Sequence, residues 1–361
     1  MKLCEQFLAK DERNFHVWNY RGGLTDTIKR TDVAFVEKEL EFIETKLNQN
    51  FSNFSAIYNK GKNTVHLTKL KVEKLLAQPD DTPLTDVEQH LIREYFRFDV
   101  PLEFIRSELD SVKTGLYMQS KEEPMWLYQK WLLSKMAPIR IRGLVNLGER
   151  EGHVVICVVF SSKIKNLKEN NLLVFADNNL VPREIEKVGK TNYSYLWLCR
   201  VPKSATEGAA ELKMKFVNDV EIAKTIPELR KVFESPVEDY NGKRFVDPTS
   251  YEFKLTKQVT IYFRRKSETQ LPFLMLVEEL ADAEFNNVKE IIEMEPENTF
   301  AQAQFVYLQE EFLENPSDDT QELKNELKQT QEILDSFTTV ISKKPRHLER
   351  ISNMQKIYEL K

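Results

Sequence analysis

The first 136 residues carry apolar positions at the spacing of an α-helix. Between residues 31 and 50, Val36, Leu40, Ile43 and Leu47 follow one another at intervals of four, three and four residues, so they share one helix face. A helix with a single apolar face needs a neighbour that covers it. The pattern therefore predicts a stack of packed helical pairs.

Residues 102–116 repeat this spacing directly after Pro101, which suits the start of a helix. Residues 62–97 are less regular. The turn-forming run 78–83 (QPDDTP) precedes a segment, residues 85–96, that is compatible with a short helix. We interpret residues 62–97 as a surface excursion inserted in the stack.

The apolar period changes from about 3.6 to two residues after Pro138. Several short apolar segments, separated by turn residues and without long helices between them, are typical of a β-sandwich. We therefore expect a β-sandwich over residues 138–270. The predicted strands cover residues 153–160, 171–175, 193–200, 211–217 and 258–263.

The three cysteines, Cys4, Cys157 and Cys199, form neither a disulfide framework nor a zinc ligand set. Cys157 and Cys199 lie on two predicted strands, with Trp197 close by, which is the placement of an inter-sheet disulfide in immunoglobulin domains. Two buried free thiols are the favoured interpretation, because the cysteine usage is that of a cytoplasmic protein.

The helical period returns from Leu274 onward, and further helices are expected at about residues 320–341 and 347–360. The fold class is thus mainly α, a stack of antiparallel helical hairpins interrupted by a β insert. The expected domains are residues 1–137 (with the insertion at about 62–97), 138–270, and 271–361, the last continuing the helical domain.

Composition excludes several classes of function. Lys and Arg number 52 against 57 Asp and Glu, a net charge of −5, which argues against nucleic-acid binding by bulk charge. No apolar run approaches the roughly 18 residues of a membrane span, and charged residues interrupt the first twenty positions, unlike a signal peptide. The histidines lack cysteine or carboxylate neighbours at ligand spacing, so no metal site is expected in this chain.

An internal motif recurs in the helical part. The first copy spans residues 14–21 (NFHVWNYR), the second spans 53–60 (NFSAIYNK), and the third lies within 122–133 (EEPMWLYQKWLL). Its asparagine suits a helix cap, and its Trp and Tyr, two positions apart, point to opposite sides of the helix. The residues assigned to the repeat motif and to a subunit interface are Trp18, Tyr20, Arg21, Asn53, Phe54, Lys60, Trp126, Tyr128, Lys130 and Trp131.

These copies resemble the repeat of protein prenyltransferase alpha subunits, Asn-Tyr-x-x-Trp-x-x-Arg. Within that family, residues 3–21, 50–55, 126–133 and 293–298 are similar to Rab geranylgeranyltransferase alpha subunits in particular. Some of those subunits carry an immunoglobulin-like domain inserted in an α-α superhelix, in the same place as residues 138–270.

The resemblance implies a heterodimer that transfers geranylgeranyl from geranylgeranyl diphosphate to C-terminal cysteines of Rab GTPases presented by the Rab escort protein. The beta subunit is expected to hold the zinc ion, which lowers the pKa of the attacking thiol. The present chain is expected to hold no cofactor, to be inactive alone, and to support the beta subunit and the diphosphate side.

No catalytic residue is assigned in this chain. The family's diphosphate-contacting lysine belongs to a repeat that precedes residues 14–21, and this sequence begins after it, so we expect a truncated N-terminus. Asn14, Phe15 and His16 match an Asn-Tyr-His that lies near the diphosphate in the related farnesyltransferase. The competing interpretation, which we weigh more heavily, is that His16 has no role beyond a helix start.

Two alternatives stay open from the sequence. A non-enzymatic scaffold of the tetratricopeptide type needs small residues at fixed places and a 34-residue period, which this repeat does not match. A farnesyltransferase or type I geranylgeranyltransferase alpha subunit is disfavoured by the β insert, which those relatives lack.

Overall fold

The computed structural model describes residues 1–28, 32–189, 191–209, 211–217, 223, 225–240, 243–244, 250–255, 259–261 and 272–312. The helices expected at residues 320–341 and 347–360 therefore lie outside the described residues.

The described part is mainly helical, as expected. Seven helices precede the strands, one lies among them, and two follow them. Their bounds are α1 Lys2–Lys10, α2 Phe15–Ile28, α3 Val33–Gln49, α4 Phe54–Leu76, α5 Asp86–Phe98, α6 Leu102–Met118, α7 Glu123–Met136, α8 Ile226–Glu234, α9 Pro272–Met294 and α10 Thr299–Glu311.

The helices pack as consecutive pairs. The helix over residues 33–49 begins at the expected cap, where Asp32 accepts a hydrogen bond from the Phe35 amide, and its Val36 and Ile43 are fully buried. Apolar side chains of α4, α6, α7, α9 and α10 share one core, so the helices on either side of the β region belong to a single stack. A smaller core at the other end joins Leu8 and Trp18 to Ile43.

The segment expected as a surface excursion is largely helical and partly internal. Residues 62–76 continue α4, a loop follows, and α5 begins at a capping box formed by Thr85 and Glu88. The short helix expected at 85–96 is thus present at 86–98. Val72, Ile92 and Phe96 are buried, because they pack against the β region rather than face solvent. Whether this segment is an insertion relative to other proteins stays a prediction.

The β region forms two antiparallel sheets. The larger has the order β10-β1-β2-β6-β5 with β8 also paired to β2, and the smaller has the order β4-β3-β7-β9. Both contribute to one core that includes Ile156, Trp197, Val174 and Met214. The strands are β1 Ile141–Arg150, β2 His153–Lys165, β3 Leu172–Ala176, β4 Asn179–Leu180, β5 Glu184–Lys187, β6 Ser194–Pro202, β7 Glu211–Phe216, β8 Glu238–Asp239, β9 Ser250–Lys254 and β10 Val259–Ile261.

The two strand cysteines are free and do not form an inter-sheet bridge. They lie on adjacent strands of the same sheet, where Cys157 is opposite Leu198 and Cys199 is opposite Ile156. Because side chains alternate along a strand, the two thiols point to opposite faces. Burial raises the pKa of Cys199 to about 12, as expected for an inert core thiol.

The β region and α5 share a third core. Leu229, Val232 and Phe233 of α8 pack on Tyr95 and Phe96 of α5. The Arg230 guanidinium reinforces this contact, since it donates to the carbonyl oxygens of Leu76 and Gln78. No helix among the described residues is long and apolar enough to cross a bilayer.

Candidate functional site: the repeat helices and their exposed row

Asparagine side chains cap α10 and the two helices that carry the first two repeat copies, α2 and α4. The Oδ1 atom of Asn14 accepts from the Val17 amide at 3.1 Å, and that of Asn53 accepts from the Ala56 amide at 3.2 Å. Asn298 does the same for the Ala301 amide at 3.1 Å, so α10 begins with the same cap as the two repeat helices. These bonds satisfy amides that the first helical turn leaves unpaired.

The motif tryptophans point back into the preceding turn. The indole Nε1 of Trp18 donates to the Glu12 carbonyl at 2.8 Å, and that of Trp126 donates to the Ser120 carbonyl at 2.6 Å. Each acceptor lies six residues before its tryptophan. Both rings are almost fully buried, so the motif Trp is a packing residue with one satisfied polar atom.

The basic position of the motif forms a buried clamp to another helix of the stack. Arg21 donates from Nη2 to Oε2 of Glu39 on α3 at 2.8 Å and also from Nε to the same carboxylate. Lys60 Nζ lies 2.7 Å from Oε1 of Glu108 on α6 and 2.5 Å from Oε1 of Glu44. Both cations are buried, so neither is available to an external ligand.

The third copy places Gln129 at this position, three residues after Trp126, as Arg21 is three after Trp18 and Lys60 is three after Ile57. Gln129 is fully buried, and its Nε2 donates to Oε2 of Glu284 on α9 at 2.5 Å. The prediction from the sequence assigned the neighbouring Lys130 to the motif and did not include Gln129. The signal that identifies it is the spacing of three residues from the motif Trp.

The other predicted motif residues have different surroundings. Tyr128 is buried and donates to Oε2 of Glu108 at 2.7 Å, and burial together with that carboxylate raises the pKa of the phenol. Trp131 stacks on Tyr128 with a 9° angle between the rings. Lys130 lies 5.0 Å from the ring centroid of Tyr307. For these residues the structure describes packing within the stack, and a role at a subunit interface stays a prediction.

Asn14, Phe15 and His16 lie together at the start of α2. Phe15 is 58% exposed, and its ring meets the exposed His16 ring edge-on with centroids 5.7 Å apart. Tyr20, one turn further along α2, is 63% exposed. A histidine in this setting is free to hydrogen-bond an external partner.

Apolar side chains are exposed at equivalent positions of successive repeat helices. Phe15 and Phe54 each follow a capping asparagine, and Tyr58 and Leu127 occupy the position four residues later in their own copies. We call these four residues the exposed row. Residues four apart share a helix face, so Phe54 and Tyr58 lie on one face of α4, and Phe15 of α2 and Leu127 of α7 occupy the corresponding positions of their own repeat helices. An ordered apolar row of this kind is typical of a protein interface.

Among the residues that the structure describes, no three His, Cys, Asp or Glu side chains come close enough together to hold a metal ion. The expectation that zinc belongs to a beta subunit stays a prediction.

Comparison with known proteins agrees with the motif. The family model described as protein prenyltransferase alpha subunit repeat matches residues 1–28, which cover α1 and α2 with Asn14, Trp18 and Arg21. This match is confined to the first copy of the repeat.

Several curated relatives carry the name geranylgeranyl transferase type-2 subunit alpha. The rat protein is 27% identical over 209 residues, which cover 57% of this chain and 32% of the relative. The Schizosaccharomyces pombe protein is 26% identical over 148 residues, covering 41% of this chain and 37% of the relative. The Candida albicans protein is 29% identical over 142 residues. The chain spans about a third of the length of the curated relatives it matches.

The resemblance stated from the motifs is thereby confirmed in mammals and yeasts alike. By its repeat and by these relatives, the chain is similar to the alpha subunits of protein prenyltransferases, and among them to those of type-2 geranylgeranyl transferase.

Proposed function

We propose that this chain acts as the alpha subunit, or as part of the alpha subunit, of a heterodimeric Rab geranylgeranyltransferase. The exposed row carries this proposal, because it presents Phe54 and Tyr58 to solvent from repeat helices whose motif tryptophans and clamp residues are buried. The names of the relatives supply the reaction. The row would bind the beta subunit, and the buried clamps would hold the row in register.

The chemistry proposed for the assembled enzyme joins a prenyl carbon to a cysteine sulfur as the diphosphate leaves. Zinc on the beta subunit would supply a thiol of lowered pKa. This chain would contribute Asn14 and His16 at one end of the row, where the exposed imidazole can donate a hydrogen bond to a diphosphate oxygen. Rab GTPases, the Rab escort protein and a cytoplasmic location belong to the same proposal.

The proposal extends to the fold. Two antiparallel sheets that share one core support an immunoglobulin-like insert over about residues 138–270. The repeated cap, tryptophan and clamp contacts support an α-α superhelix formed by residues 1–137 and by the part that begins at about 271.

Co-expression with a type-2 beta subunit tests the proposal. We expect a 1:1 complex on size-exclusion chromatography, and loss of that complex in the double variant Phe54→Asp, Tyr58→Asp. The matched control is Val87→Asp, at a position on α5 that is 78% exposed but lies off the row. A complex that forms equally well with both variants would remove the row as the interface. Failure of the folded wild-type chain to bind would favour a scaffold.

The role of His16 needs a separate readout. In a complex that retains transfer activity, His16→Ala should raise the KM for geranylgeranyl diphosphate while the subunits stay associated. His66→Ala on α4 is the control, since this histidine is not part of the row. An unchanged KM for both variants would assign His16 to the helix start alone.

A further inference from the structure

The three clamps of the stack differ in one chemical respect. In the first two, a cation faces a buried glutamate, as Arg21 faces Glu39 and Lys60 faces Glu108. In the third, the neutral Gln129 faces Glu284. The third clamp therefore buries a carboxyl group without the cation that its two equivalents possess.

The surroundings of Glu284 contain little compensating charge. Its side chain is buried on α9, where the second oxygen accepts from Nδ2 of Asn287 at 3.0 Å. From α6, Lys113 and Asp110 act on it with opposite sign. Tyr117, also on α6, donates a hydrogen bond to Glu290, and the Glu284 carboxylate is one of the groups that raise the pKa of Tyr117.

The remaining neighbours add no charge at this point. On α7, Lys130 lies over the ring of Tyr307 and Lys135 is paired with Asp99. Glu310 and Glu311, at its C-terminal end, are the only charged residues of α10. The part of α10 around Gln302 therefore carries no charge.

Gln129, the partner of Glu284, has a buried polar atom without a hydrogen bond in the described part of the chain. Its Oε1 atom is buried and, among the described residues, has no hydrogen-bond donor. An ionised carboxylate cannot donate, whereas a protonated carboxyl group has one O–H to give. A proton on Glu284 would thus remove an uncompensated charge, and turning the Gln129 amide so that Oε1 faces Glu284 would let this oxygen accept the carboxyl O–H.

We propose that the Glu284–Gln129 clamp is a proton-responsive joint, in which the protonated carboxyl group holds α7 and α9 together more firmly than the ionised one. These are the two helices that flank the β region in sequence. Proton concentration would then set how firmly the stack closes around the insert.

The direction of the pH effect follows from burial, which raises the pKa of Glu284 to about 7. A folded-state pKa above the unfolded value means that the folded protein holds the proton longer. The stabilisation provided by protonated Glu284 is complete at pH values below its pKa in the unfolded chain. It is lost as the pH rises through the pKa of Glu284 in the folded protein. Unfolding is therefore promoted between about pH 4.5 and pH 7.

The experiment compares urea unfolding of the whole chain between pH 5 and pH 8 in three proteins. For the wild type, the part of the unfolding constant due to Glu284 should rise at least tenfold over this range. Glu284→Gln should lack that part. Glu39→Gln is the matched control, because among the described carboxylates it leaves Arg21 with only that of the half-exposed Glu5, at 3.5 Å, and should destabilise the protein across the range while keeping the wild-type pH slope.

Gln129→Lys keeps the test decisive if Glu284→Gln does not fold. It restores the cation of the other clamps, so the pKa of Glu284 should fall and the pH slope should decrease or reverse. Amide hydrogen exchange in α7 and α9, corrected for intrinsic rates, should slow at pH 5 in the wild type relative to α2. Equal pH slopes in wild type and Gln129→Lys, or no selective slowing in α7 and α9, would overturn the proposal.

Discussion

Trp18 and Asn53 donate hydrogen bonds to the same oxygen atom. The indole Nε1 of Trp18 and the amide Nδ2 of Asn53 each lie 2.8 Å from the Glu12 carbonyl oxygen. Trp126 and Asn298 share the Ser120 carbonyl in the same way, at 2.6 and 3.0 Å. We call this arrangement the carbonyl lock. It joins one repeat to the next, and the second lock spans a chain separation of 178 residues that contains the β region.

The asparagine of the lock has two functions, since its Oδ1 caps its own helix while its Nδ2 reaches the previous repeat. Replacing Asn53 by Ala removes both and should lower the free energy of unfolding by about 1–3 kcal/mol. Urea denaturation measures this, with Asn19→Ala on the exposed side of α2 as the control. A loss for Asn53→Ala no larger than for Asn19→Ala would show that the lock adds no stability.

Lys60 is predicted to be the most sensitive clamp residue. It is buried between two carboxylates, so Lys60→Met leaves Glu108 with only the Tyr128 hydroxyl and should cost about 3–5 kcal/mol. The neighbouring Lys62 makes an exposed pair with Asp26 at 2.6 Å, and Lys62→Met should change stability by under about 1 kcal/mol. Similar chemical denaturation midpoints for the two variants would contradict the assignment.

Local pattern was sufficient for much of the fold. The apolar spacing from Val36 to Leu47 predicted α3, and the change of period after Pro138 predicted the strands, because both signals arise from one element facing one core. The repeat was recognisable because Trp18 and Trp126 are each followed by a tyrosine two positions later. These features depend on residues close together in sequence.

Contacts between distant segments were not predictable. The spacing of three residues from Trp126 identifies Gln129, but its partner Glu284 lies 155 residues away, and no local pattern reveals that contact. The burial of α5 depends on Phe233 of α8, which packs on Phe96. The placement of Cys157 and Cys199 in one sheet required the strand order, which alternation alone does not give.

Two glycines in repeat helices should respond to alanine in opposite directions. A Cβ at Gly61 would come within 3.1 Å of the Trp131 ring, which stacking on Tyr128 holds in place. Gly61→Ala should therefore destabilise the protein by about 1–3 kcal/mol. A Cβ at Gly23 of α2 meets nothing within 4 Å, so Gly23→Ala should stabilise by about 0.5–1 kcal/mol through helix propensity. Thermal unfolding of the pair decides, and a shift of the same sign in both would refute the packing argument.

The contact between α5 and α8 gives the final prediction. Phe233 stacks on Tyr95 with centroids 6.1 Å apart and meets Phe96 edge-on at the same distance. Phe233→Ala should therefore speed amide exchange in α5 and α8 by about fivefold or more, since about 1–3 kcal/mol of local packing is lost. Tyr240→Ala is the control, because this aromatic side chain of the same region is 72% exposed.

The pattern of exchange distinguishes two models of the stack. If the β region is attached through α5 and α8 as a separate cooperative unit, α2 and α3 should keep their protection in Phe233→Ala. Their core around Trp18 and Ile43 does not include α8. A uniform loss of protection in all helices would instead show that the stack and the β region unfold together, and that the α5–α8 contact is part of one global core.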